Sequence, residues 1–157
     1  MEGSFDYTVC ACGTGDHRLG HNIRGRDEEM KSLQSLRTLL QELPARLEAL
    51  PPDSVEAKPT RSWSVKEELG HLLDSATNNH QRIVRAQLED NPAMPGYDGP
   101  AWVVLHAYQK RNWHELIGTW GALNRQLLAA AEAVPDSAWS RTCTIGGVGA
   151  ADAAVCF

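Results

Sequence analysis

Aromatic residues are scarce in this 157-residue chain, at 6%, and only two are phenylalanines. A core here must rest on aliphatic side chains and on the five tryptophans, bulky fillers in a domain of this size. Long apolar runs are also missing. No segment approaches the roughly 18 consecutive apolar residues of a membrane span. The start, MEGSFDYTVC, lacks the basic region and apolar run of a secretory signal, so a cytoplasmic protein with no membrane partner is expected. Lysine and arginine number 15 against 20 acidic residues, for a net charge of -5. They form no basic block interleaved with aromatics, so no nucleic-acid partner is expected. The four cysteines, Cys10, Cys12, Cys143 and Cys156, contain no Cys-x-x-Cys pair, and reduced thiols are the simplest expectation. No Gly-rich phosphate loop follows a strand, and no Gly-x-Ser-x-Gly elbow is present.

What the chain does have is helical periodicity, in a length and composition that suit one domain. Leu33, Leu36, Leu40, Leu43, Leu47 and Leu50 alternate steps of three and four, one continuous stripe on a helix. Pro44 inside that stripe removes a backbone donor and predicts a kink or a break with a short second helix. The Pro51-Pro52 pair ends it. Ser64-Val65-Lys66-Glu67 has the spacing of a capping box and predicts a helix over 64–90, with Val65, Leu69, Leu72, Ala76, His80 and Ile83 on its apolar face. A turn-rich stretch, NPAMPGYDGP, precedes a short helix over 101–110. Asn112 and Glu115 repeat the capping geometry before a third long helix, which Pro135 stops. A short β-prone piece over 140–145 follows, but no strand run is long enough for a sheet. The fold expected is all-α, with three long helices plus a short one. The segment 1–26, rich in glycine and polar residues, is expected to be loosely ordered. The last ten residues are too short to pair along the long helices.

Histidines carry the candidate chemistry. Nine residues separate His71 from His80 in one predicted helix, which puts them on opposite faces. His80 falls on the apolar stripe and reads as a core or interface histidine. His71 falls among Glu67, Asp74, Asn78 and Arg82 on the polar side, where a solvated ring is the ordinary outcome. Asp74, one turn on, has the spacing to orient that ring or hold a bound water. His106 and His114 read as surface or rim residues. Cys10, Cys12, His17 and His21 are four soft donors in one segment, but their spacing matches no zinc-finger pattern.

The runs WSVKEELGHLLDSATNNHQRI, MPGYDGPAWVVLHAYQKRNWHELIGTWGALNRQL and PDSAWSRTCTIGG resemble the DinB-like superfamily of four-helix-bundle metalloproteins, over about residues 27–147. The Trp-Ser...Glu-x-x-Gly-His-Leu block is the most specific part. The resemblance implies an up-down bundle, with residues 1–26 and 148–157 outside it, and makes His71 a metal position facing a groove at the bundle's end. It implies a divalent metal of the zinc, nickel or iron class, held by His71 and by two further histidines one turn apart on the fourth helix. The activity implied is that of a transferase or hydrolase on a small-molecule substrate, with a low-molecular-weight thiol in some members. No His-x-x-x-His appears after Gly147, so the metal site is expected to be incomplete and the fourth helix truncated or replaced. His17 and His21 have the mutual spacing to substitute. An uncovered seam would favour a homodimer, and a metal-free interaction module is the alternative reading.

Overall fold

The computed structural model describes residues 21–60, 62–146 and 151–155, with side chains within 30–60 and 62–146. Three long helices dominate: α1 (His21–Glu48), α3 (Val65–Leu88) and α5 (Trp113–Glu132), with short α2 (Pro52–Glu56) and α4 (Gly99–His106) between them. Their starts follow the sequence signals. The Ser64 hydroxyl accepts from the Glu67 amide and the Glu67 carboxylate accepts from the Ser64 amide, a complete capping box, so two otherwise orphaned donors are satisfied together. Asn112 accepts from the Glu115 amide at the start of α5.

Helix α3 packs against both α5 and the α4 region, and α1 lies along α5. The main core joins Leu69 and Leu73 of α3 to Val103, Leu116, Ile117 and Trp120, with Leu40, Leu43 and Leu47 of α1 packed onto it. A second cluster, Ile83, Ala131, Val134 and Ala138, closes the opposite end of α3 and α5. The architecture is a helical bundle, mostly α, of the kind the resemblance implies.

Five expectations need correction. Helix α1 begins at His21, inside the segment expected to be loose, and it runs unbroken through Pro44 to Glu48. Leu40, Leu43 and Leu47 pack on the core on both sides of the proline, and that burial holds the last turn in place of the lost hydrogen bond. A small sheet also exists. Strand β1 (Ala93–Pro95) pairs in parallel with β2 (Thr142–Gly146), which pairs antiparallel with β3 (Ala151–Val155). Strands of three to five residues are too short for periodicity to announce them. The face of α3 that the wheel makes polar is packed: Lys66, Glu67, Gly70 and Asp74 are buried, because α2, α4 and the turn after α4 all lie against this helix. Finally, Cys143 is fully buried and disulfide-bonded, not a free thiol. Cys10, Cys12 and Cys156 lie outside the described residues, as does the segment 1–20.

Candidate metal centre

The capping box fixes where α3 starts, and so fixes which residues arrive together at its first turns. Gly70 is one. A Cβ built there would lie 2.1 Å from the Tyr108 ring, so glycine is what lets the tyrosine seat against the helix. His71, next in sequence, is half-buried in an aromatic setting. Its ring centroid is 5.1 Å from that of Trp63 and 6.3 Å from that of Tyr97. Gly99, at the start of α4, approaches so closely that an added Cβ would lie 3.0 Å from His71 Cε1. The Nδ1 atom of His71 is buried and has no hydrogen-bond partner among the described residues. A buried nitrogen left without a partner costs about 1–3 kcal/mol.

One turn on, Asp74 is 3% exposed and does not orient His71. Its Oδ1 accepts a 2.6 Å hydrogen bond from the Tyr108 hydroxyl and lies 2.9 Å from His106 Nδ1. The Tyr108 oxygen is in turn 2.9 Å from that same Nδ1, so three groups converge. Oδ2 of Asp74 is buried without a partner among the described residues. Burial, together with the hydrogen bond to Asp74 and its charge, pushes the Tyr108 hydroxyl well above its ordinary pKa, and the phenol stays protonated. Between His106 and Tyr108, Ala107 has φ 49 and ψ 44, a left-handed conformation. That geometry turns two near neighbours toward one carboxylate and costs an L-residue about 1 kcal/mol or more.

Of the residues singled out by sequence, α3 brings His71 and Asp74 to the same end, and the rings of Tyr97 and Trp102 bridge from His71 to His106. His80 is half-buried further along the helix. His114 pairs with Glu48 across the α1–α5 seam, away from this cluster. His17 lies outside the described residues, and of His21 only the backbone is described, as the first residue of α1. Tyr108, Tyr97 and Gly99 were not foreseen; the one signal available was the Gly-His pair on α3 facing an aromatic-rich segment at 97–108. Among the described residues, no group of three His, Cys, Asp or Glu side chains could hold a metal ion. One imidazole does not make a catalytic metal site, so the described residues by themselves do not fit that cofactor. No helix among them is long and apolar enough to cross a membrane.

The family model of the DinB superfamily matches residues 35–157, and the chain belongs to that superfamily. Two curated relatives carry provisional names as metal-dependent hydrolases. BH0277 of Halalkalibacterium halodurans is 35% identical over 72 residues, 43% of this chain and 42% of its own. YfiT of Bacillus subtilis is 33% identical over 101 residues, 57% of each chain. This chain thus spans about half the length of the curated relatives it matches. The solved structure of YfiT, a four-helix bundle of unusual topology, aligns with a TM-score of 0.64 at 19% identity, over 85% of this chain and 74% of that one. At that identity the likeness is one of fold.

Proposed function

We propose that this chain is the helical scaffold of a divalent-metal-dependent hydrolase or transferase acting on a small molecule, in which His71 supplies one imidazole to the metal. The observation that carries the reading is the buried Nδ1 of His71, unpartnered among the described residues, in an aromatic wall at the Gly-His-Leu block. The provisional names of the relatives support the metal-dependent part. Further donors would come from outside the described residues, and a zinc-, nickel- or iron-class ion suits imidazole ligation. A low-molecular-weight thiol is the co-substrate to test first. Titration of the full chain with cobalt(II), followed by visible absorption, tests the reading. Ligand-field bands are expected for the wild type, with affinity for His71→Ala weaker by at least about tenfold, the lower end of the effect of losing even an outer-sphere partner. Absent bands, or bands unmoved by the substitution, overturn it.

A second reading, self-association of a metal-free bundle, has its own observation. No described side chain of α1 is fully buried, and Leu33, Leu36, Leu39, Leu40, Leu43 and Leu47 are all half-buried. Leu36 joins neither core cluster. In sedimentation equilibrium this reading expects a homodimer that Leu36→Lys converts to monomer. A wild type that is monomeric across the accessible concentration range ends it.

A further inference from the structure

The costly features of this end of the bundle converge on one imidazole. Asp74 is a carboxylate at 3% exposure with one oxygen unpartnered among the described residues, and Ala107 holds a left-handed backbone. Each is unfavourable taken by itself. Together they bring His106 and Tyr108 onto one atom, Oδ1 of Asp74.

We propose that His106 is a preorganised base, held as its Nδ1–H tautomer by Asp74 and Tyr108, with Nε2 left as the proton-accepting nitrogen. The assignment follows from counting donors. Two oxygens 2.6 Å apart, Tyr108 Oη and Asp74 Oδ1, need a proton between them, and the only one available on the tyrosine is its hydroxyl hydrogen. That hydrogen is therefore committed to Asp74. His106 Nδ1 lies 2.9 Å from both oxygens, and neither has a proton to give it, so the imidazole donates from Nδ1 and carries its lone pair on Nε2. The His106 side chain is 45% exposed, so it remains open to small molecules, with the indole of Trp102 edge-on at 5.8 Å.

This rests on the hydrolase reading for what the base would do. Water attacks the electrophilic carbon of the substrate, forming the new O–C bond as one of its protons passes to Nε2. When the bond from that carbon to the leaving group breaks, the imidazolium returns the proton to the leaving group. Water is the only co-reactant, nothing is oxidised or reduced, and His106 ends as it began. Asp74 and Tyr108 are positioning residues.

The test uses the full nitrogen-15-labelled chain without added metal. Multiple-bond imidazole correlation spectra are expected to show neutral His106 as the Nδ1–H form, whereas unconstrained histidine favours Nε2–H. Asp74→Ala is expected to shift His106 toward Nε2–H and to slow its carbethoxylation by diethyl pyrocarbonate, with His114 as internal control. Asp74→Asn, whose amide oxygen still accepts, is expected to keep the wild-type tautomer. Should Asp74→Ala fail to fold, the wild-type and Asn spectra decide. An Nε2–H form in the wild type, or a tautomer unchanged in folded Asp74→Ala, overturns the proposal. Neither readout involves cobalt, so failure here leaves the role of His71 to its own titration, and loss of that role leaves the tautomer result standing.

Discussion

At the scale of single residues, two helical glycines are expected to respond to alanine with opposite signs. Gly70 has the Tyr108 ring 2.1 Å from where a Cβ would sit, while Gly118 has nothing within 4 Å. Alanine at 118 is expected to stabilise by about 0.5–1 kcal/mol, the ordinary helix-propensity gain. Alanine at 70 has to displace a ring buried at 5% exposure, and overpacking of that kind costs about 1–3 kcal/mol. Urea unfolding of both variants checks the pair, and a stabilised Gly70→Ala would mean that the ring is not seated on α3. The same contact shows what a sequence can and cannot disclose. The place of His71 near the start of α3 was legible because the cap and the Gly-His pair are local, a handful of residues on one helix. The Asp74–Tyr108–His106 cluster was not, because its partners are 34 residues apart and meet only through a left-handed alanine that no pattern announces.

At the scale of elements, periodicity and caps located the long helices, and they failed where tertiary contact overrides local preference. The wheel put Glu67 on a wet face. In the fold it is buried, in the capping box and paired with Lys58 at 2.8 Å. Burial acts to raise its pKa, but hydrogen bonds from Lys58 and the Ser64 backbone outweigh it, and the net value lies below the ordinary glutamate one. A carboxyl depressed in the folded state binds its proton more readily in the unfolded chain. Its stabilising contribution is therefore complete above the ordinary glutamate range and is lost as pH falls through the depressed value. Wild type is expected to exceed Glu67→Gln in urea midpoint at neutral pH, with the difference shrinking through the acid range. A gap independent of pH would assign the loss to the cap geometry alone. The sheet is the complementary failure. Its strands β1 and β2 come from segments about fifty residues apart, Ala93 pairing with Thr144 for instance, and each strand is too short to carry an alternation.

At the scale of the whole molecule, composition cannot say which leucines hold the bundle, and exposure can. Leu116 is 2% exposed at the centre of the main cluster, between α3 and α5, whereas Leu105 is 78% exposed on the outer side of α4. A buried leucine cut to alanine loses its transfer free energy and leaves a cavity, a cost of about 2–5 kcal/mol. An exposed one changes stability by no more than about 0.5 kcal/mol. Ile83 gives the informative intermediate case, because its cluster closes the far end of the same two helices. If the bundle unfolds as one cooperative unit, Ile83→Ala lowers the urea midpoint with an unchanged slope while leaving the His106 tautomer intact below the transition. If the two clusters unfold separately, the slope falls and the imidazole signals outlast the loss of helicity. Cooperativity is the expected result, since α3 and α5 are continuous through both clusters and neither cluster can lose its packing without exposing the seam that the other shares.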